Sequence, residues 1–280
     1  PLYMIPHKGA TGCKFCISEI WFLKKPDFLG GIPGAPGHFC HYSRFQLQCT
    51  GMKMKRWAAW EQLNKEIITC TRCPRLVEWR ERVASEKRAA YRDCTYWGRP
   101  VPGFGDLDPR LFIIGLAPGA HGSNRTGRMF TGDSSGDTLA AALHQVGLAN
   151  QPTSTTQDDG LELPGAFMSA VARCVPPGNK PSAQELANCQ PFLARELDLC
   201  PSVRVVLALG RVAFDGYLRL LRARGVDVPR LKPRHGECYT LSPDLPVLAF
   251  SYHPSRQNTQ TGRLTTDMLD SLFTHLKQML

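Results

Sequence analysis

No stretch of the 280-residue chain reaches about 18 consecutive apolar residues, so no transmembrane helix is expected. Nor is there a basic region followed by a clean apolar core near residue 1, so a secretory signal is not expected. Internal repeats are missing, which sets aside solenoids and propellers. Acid is in short supply: 24 Asp and Glu face 34 Lys and Arg, a formal net charge of +10. That excess favours a polyanionic partner, nucleic acid ahead of an acidic membrane surface. The cysteine count, 11, is odd. Without a secretion signal a disulfide framework is disfavoured, and metal binding gains weight.

Residues 1–53 read unlike the rest. They lack sustained periodicity and contain GGIPGAPG, a run that no helix or central strand tolerates. They are expected to form an irregular extension, with a fresh start at Met52 or Met54, where MKRWAAWEQLNKEIITC reads as an amphipathic helix. A sharper reading makes Cys13, Cys16, Cys40 and Cys49 a second metal site, with His38 and His41 nearby. The domain proper is expected over 54–280.

From Leu111 onward, apolar runs of strand length (RLFIIGLAP, AFMSAVARC, VRVVLALG, LPVLAFSYHP) alternate with helix-like segments. This predicts an α/β fold, a three-layer α/β/α sandwich around a central, mostly parallel sheet. Ser182 and Glu185 have capping-box spacing and place a helix start. In such sheets ligands bind beyond the carboxyl ends of the strands. Three chemically loaded segments fall there: GLAPG, the stretch after Cys174, and HPSRQN.

The first of these continues as GLAPGAHGSNRTGRMFTGDSSGD, with six glycines, two arginines and the isolated Phe130. It lacks both the GxGxxG spacing of a dinucleotide site and the GK[ST] ending of a nucleotide-triphosphate loop. Bare backbone there lets a ligand approach closely, and the N–H groups of the loop and the following helix start favour phosphate or an electron-rich base edge. The cysteines add a second constellation. Cys70 and Cys73 form CTRCP; Cys174 ends a predicted strand and Cys189 follows fifteen residues later, with VPPGNKP turning the chain between them. Four thiolates from two distant segments suit zinc or a cubane iron–sulfur cluster, and spacing does not choose between them. Cys94, Cys200 and Cys238 read as ordinary core or partly buried thiols.

Taken in order, CTRCP, VPGFGDLDPRLFIIGLAPG, TGRMFTGDSSG, RCVPPGNKP with Cys189, and HPSRQNTQTG resemble the iron–sulfur uracil-DNA glycosylases, most closely the family 5 (B) type, over residues 54–280. The resemblance implies a [4Fe–4S] cluster on Cys70, Cys73, Cys174 and Cys189. It implies a monomeric enzyme of the bacterial or archaeal cytoplasm, associated with the nucleoid. Its substrates would be double- and single-stranded DNA carrying deaminated bases, and its product an abasic site. An enzyme of this kind extrudes the target base from the stack. Phe130 is then expected to stack on that base, over backbone at Gly115 and Ala117. His253 is expected to donate to the base oxygen as negative charge develops there.

Many uracil glycosylases carry Asp or Glu where this chain has Ala117, a departure that the family 5 type shares. Asn124 is the expected water-positioning residue, with His121 second. Ala170 stands where related enzymes place an Asn to read the uracil edge, which predicts acceptance of hypoxanthine or xanthine beside uracil. Ser255, Asn258, Arg256 and Gln257 are expected to meet the nucleotide or the DNA backbone, and Arg125, Arg128 and Lys180 to meet phosphate. No lysine nucleophile stands out, so strand cleavage through a Schiff base is not expected. The alternatives are a non-catalytic iron–sulfur or zinc nucleic-acid-binding protein and, less well matched to Phe130 and HPS, an electron carrier.

Overall fold

A computed structural model describes residues 44–280, with side chains from Met54 onward. Residues 1–43, and with them the second metal site expected on Cys13, Cys16, Cys40 and Cys49, lie outside the described side chains. The compact unit spans Gln48–Leu280, beginning slightly before the expected start at 54. Helix α1, Arg44–Ile68, runs through the expected fresh start at Met52 or Met54.

Six strands form one sheet: β1 (Phe104–Gly105), β2 (Leu111–Gly115), β3 (Ala166–Ala170), β4 (Val205–Leu209), β5 (Cys238–Tyr239) and β6 (Val247–Ser251). Their spatial order is β1-β3-β2-β4-β6-β5. The inner four are parallel, and the two-residue edge strands β1 and β5 are antiparallel to their neighbours. In the register Ile113 lies beside Met168 on one side and Leu207 on the other. The architecture is the α/β sandwich with a mostly parallel sheet that the alternating pattern implies.

The strand sequences explain the layers. LFIIG is buried at every position because helices cover both faces, so its alternation sorts two apolar sets rather than apolar from polar. Phe112 and Ile114 pack with Trp60, Leu63 and Ile67 of α1, and with α5 (Ala183–Asp198) and α6 (Arg211–Ala223) through Phe192 and Phe214. Leu111 and Ile113 pack on the other face against Leu139 and Leu143 of α4 (Ser134–Gln145) and Leu272 and Phe273 of α8 (Thr266–Met279). Helix α2 (Pro74–Glu86) follows the CTRCP cysteines, and two short helices, α3 (Ser123–Thr126) and α7 (Arg256–Gln260), lie in the loops after β2 and β6. The capping box at Ser182 and Glu185 forms as its spacing predicts, with both reciprocal hydrogen bonds present.

After β2 the chain adds β3 on one side of it and β4 on the other. The chain leaving β2 therefore runs toward β3 and the chain leaving its neighbour β4 runs toward β6, so the two diverge at the carboxyl edge of the sheet. This opens a crevice where parallel sheets bind their ligands.

Candidate functional site

A cavity of about 650 Å³ lies at that edge, within the usual range of about 300–1,000 Å³ for small-ligand sites. Residues from the loops after β2, β3 and β6 line it, among them Ala117, His121, Phe130, Asp133, Ala170, Asn179, His253 and Ser255. Phe130 and His253 come from segments more than a hundred residues apart, yet their rings lie nearly parallel, at 29°, with centroids 6.1 Å apart.

Phe130 is held there by local backbone constraint. Its φ is +49°, a left-handed conformation that a bulky residue adopts only when its surroundings enforce it. Gly136 enforces it from below: a Cβ at that position would fall 2.2 Å from the Phe130 carbonyl oxygen. Gly115 leaves room for the ring, since a Cβ there would lie 2.6 Å from Phe130 Cζ. Gly115 thus supports the ring from beneath rather than lining the cavity itself. The three non-glycine residues with positive φ among those described are Lys87, Phe130 and Asn179. Two line the cavity, and Lys87 precedes Arg88, which also lines it.

His253 follows β6 directly and is half-buried. Desolvation pulls its imidazole down to about 4, so at neutral pH the ring is uncharged and retains one N–H to donate. The Asn258 side-chain amide donates to the His253 carbonyl at 2.9 Å, and Ser255 Oγ accepts from the Asn258 backbone N–H at 3.3 Å. Asn258 therefore fixes the loop that carries His253. Its amide nitrogen is thus engaged within its own loop, and Asn258 itself is not among the residues lining the cavity. Ser255 caps α7 and lines the cavity, as do the exposed Arg256 and Gln257 at the rim.

The loop after β2 brings further corrections. Asn124 is fully buried, and its amide donates to the Arg80 carbonyl of α2 at 3.2 Å. It ties the loop to α2 through its amide nitrogen, its Oδ1 is buried without a partner among the described residues, and the cavity is lined by its neighbours Gly122 and Ser123. Arg128 is 5% exposed. It makes two 2.8 Å contacts to Asp159, donates to Thr131, Ser154 and the Gln157 carbonyl, and stacks on Phe104. All three of its guanidinium nitrogens are engaged inside the protein, so the group is turned inward. Arg125 is half-buried, donates to the carbonyls of His121 and Gly132 and lies 4.1 Å above the Tyr91 ring. Both arginines hold the loop in shape. Lys180 is exposed after the Pro177–Asn179 turn.

Sequence reading missed Asp133. Its carboxylate caps α4, accepting from the backbone N–H groups of Ser135 and Gly136 at 3.0 and 3.1 Å. Its other oxygen packs against Gly119 and Gly122, where a Cβ would fall 2.7 and 2.1 Å from it. Burial raises its pKa above the ordinary carboxylate value, so it takes up a proton more readily than an exposed Asp. TGDSSG reads as a helix cap, and that structural role hides a carboxylate that also lines the cavity. Asn179 and Arg88 were missed as well; each follows or forms a local backbone irregularity that sequence does not announce.

The four cysteines are free and neighbour one another across segments. Cys174 and Cys189 are buried, and Cys70 and Cys73 are half-buried at the start of α2. Arg80 donates to Cys174 Sγ at 3.2 Å and to the Cys70 carbonyl at 3.2 Å, and Asn188 donates to Cys73 Sγ at 3.4 Å. Burial pushes the Cys174 thiol up to about 12, so a metal centre would displace its proton on binding. Among the described residues, no three His, Cys, Asp or Glu side chains converge on one point as a single ion requires. The four sulfurs come from the start of α2, the segment after β3 and α5, and N–H donors are directed at two of them.

Among the described residues no helix is long and apolar enough to cross a membrane. The family model described as "Uracil DNA glycosylase superfamily" matches residues 102–277. A Type-5 uracil-DNA glycosylase of Mycobacterium bovis is 50% identical over 219 residues, covering 78% of this chain and 81% of that protein. The Type-5 uracil-DNA glycosylase of Thermus thermophilus is 49% identical, with 97% of its length covered. A Type-4 uracil-DNA glycosylase of Pyrobaculum aerophilum is 26% identical over 198 residues.

Proposed function

The chain belongs to the uracil DNA glycosylase superfamily, and from that premise we propose that it hydrolyses the N-glycosidic bond of uracil in DNA and leaves an abasic site. One observation carries the reading: Phe130 and His253, from separate loops, line one cavity with their rings 6.1 Å apart. An aromatic face replaces the stacking that an extruded base loses. A neutral imidazole beside it donates to the base oxygen, where charge grows as the bond to the sugar breaks.

The attacking water is the task of Asp133, the carboxylate on the cavity wall. One of its oxygens is held by two backbone N–H groups, which orients the other. Its raised proton affinity suits it to accept a hydrogen bond from water approaching the anomeric carbon. Ala117 lines the same wall and carries no such group.

Ala170 closes the wall at the end of β3 and offers no side-chain hydrogen bond to the base edge. On that basis the enzyme accepts hypoxanthine or xanthine as well as uracil. Cys70, Cys73, Cys174 and Cys189 are the residues to hold a [4Fe–4S] cluster. When bound, the cluster supplies a cross-link between the start of α2, the segment after β3 and α5. Iron and sulfide analysis of purified protein tests this assignment: about four of each per chain is expected for a cubane held by Cys₄, and stoichiometric zinc contradicts it.

The function itself is tested by incubating the protein with a uracil-containing duplex and then heating in alkali. A break at the lesion is expected, and an intact strand refutes the proposal. Parallel duplexes carrying hypoxanthine and xanthine report the base range, and strict uracil preference removes that part alone.

A further inference from the structure

Tyr96, His121 and Arg88 form a hydrogen-bonded group, with His121 and Arg88 on the cavity wall, that the glycosidic chemistry above does not use. The Tyr96 hydroxyl lies 3.0 Å from His121 Nδ1, and the two rings meet edge to face with centroids 6.2 Å apart. Tyr96 is 9% exposed, and its oxygen also receives the Arg88 backbone N–H at 3.5 Å. That second neighbour is a donor and cannot take the hydroxyl proton. His121 Nδ1 is the acceptor that remains among the described residues, and a buried hydroxyl proton left without one is costly. Tyr96 therefore donates to Nδ1, and a neutral imidazole then carries its proton on Nε2. The ring is kept neutral by burial and by the positive charges of Arg88 and Arg125, which hold its pKa below the usual histidine value.

His121 Nε2 has no hydrogen-bond partner among the described residues, and His121 lines the cavity. Arg88 is exposed, lines the same cavity and forms no ion pair among the described residues. This contrasts with Arg128, whose guanidinium is buried and paired with Asp159 inside the loop. A fixed N–H donor beside an unpaired guanidinium asks for an anion with several acceptor oxygens. Resting on the glycosylase reading, we propose that His121 Nε2–H and Arg88 clamp a phosphodiester oxygen of the nucleotide entering the cavity, with Tyr96 as the positioning residue that sets the His121 tautomer. A base carbonyl would use the imidazole and leave the arginine idle, so the phosphate accounts for both.

Two measurements test the clamp. Long-range ¹H–¹⁵N correlation spectra of the free protein report the His121 tautomer: the Nε2–H form is expected in the wild type and a mixture in Tyr96→Phe. An Nδ1–H form in the wild type overturns the proposal whatever the variant does. The second measurement pairs His121→Ala and Arg88→Ala with uracil duplexes in which a neutral methylphosphonate replaces the phosphodiester on one or the other side of the lesion. For wild type, one position is expected to lower the single-turnover rate by about tenfold, the scale of a charged hydrogen bond. Each variant should lose a similar factor on native DNA and little more on the neutral linkage. Penalties that multiply fully at both positions overturn the clamp while leaving the glycosylase reading intact. A wild-type protein that never releases uracil overturns both.

Discussion

The loops after β2 and β6 reach the same cavity by opposite means. The first, from Gly115 to Asp133, is long and internally braced: Arg125 and Arg128 are folded into it, Asn124 anchors it to α2, and Phe130 sits in a strained left-handed conformation. The second, from Ser251 to Asn258, is short and held by the Asn258 amide and the Ser255 cap, with Arg256 and Gln257 left exposed at its rim. The contrast shows that a cation in a binding loop is not by that fact a ligand-binding cation. A long glycine-rich loop lacks stiffness of its own, and its arginines supply it. A short loop leaving a buried strand needs less bracing, and its charges remain free.

The largest effects should fall on the two groups that face the reacting bond, one from each loop. Asp133→Asn is expected to slow single-turnover uracil release by about 10²–10⁴, the range for loss of a general base. His253→Ala should cost about 10²–10³, as for loss of a single donor to a developing anion. Neither should weaken duplex affinity more than a few-fold in filter binding. A variant of Asp133 that keeps its full rate would return the water-positioning role to another residue.

The pH dependence sharpens the same pair. Because burial holds His253 near 4, its titration leaves no inflection in the rate near the ordinary histidine value of 6.5. The rate should instead fall as pH drops toward 4, where the ring takes up its proton, and burial of Asp133, which raises its pKa, adds to the loss on the acid side. The stability effect of His253 has the same sign. The unfolded ring binds its proton near 6.5 and the folded ring only near 4, so its contribution to stability is retained above 6.5 and lost progressively between those values. A rate profile with a limb at 6.5 would place His253 in a wetter setting than the cavity provides.

The braced loop should break as a structure and the open one as a binding surface. Arg128→Ala leaves the largely buried Asp159 unpaired and is expected to cost about 3–5 kcal/mol in urea unfolding, the range for a broken buried pair. Arg256→Ala should leave stability unchanged and reduce the salt dependence of DNA binding by about one counterion. Equal salt slopes for the two variants would erase the distinction between the loops.

Much of the fold is legible in the sequence because burial imposes pattern: LFIIG, AFMSA, VVLAL and VLAFS are apolar at nearly every position, as a doubly covered parallel sheet demands. The short edge strands β1 and β5, two residues each, carry no such pattern and went unread. At the site, Phe130, His253, Ala117, Ala170 and Ser255 could be placed on one rim, since each sits at a strand end or in the loop that leaves it. Side-chain direction was not legible. Nothing in NRTGR tells that Asn124 turns toward α2 or that Arg128 turns inward to Asp159, because those partners lie 44 residues upstream and 31 downstream. Asp133 was hidden for the opposite reason, a sufficient local role as a helix cap.

The central claim is that the cavity shared by Phe130 and His253 removes uracil from DNA. Single-turnover release of free uracil from a labelled duplex, with wild type and His253→Ala side by side, tests it most directly. The account predicts stoichiometric release by the wild type and a rate lower by about two to three orders of magnitude in the variant. Equal rates in the two proteins, or no release by the wild type, would contradict it.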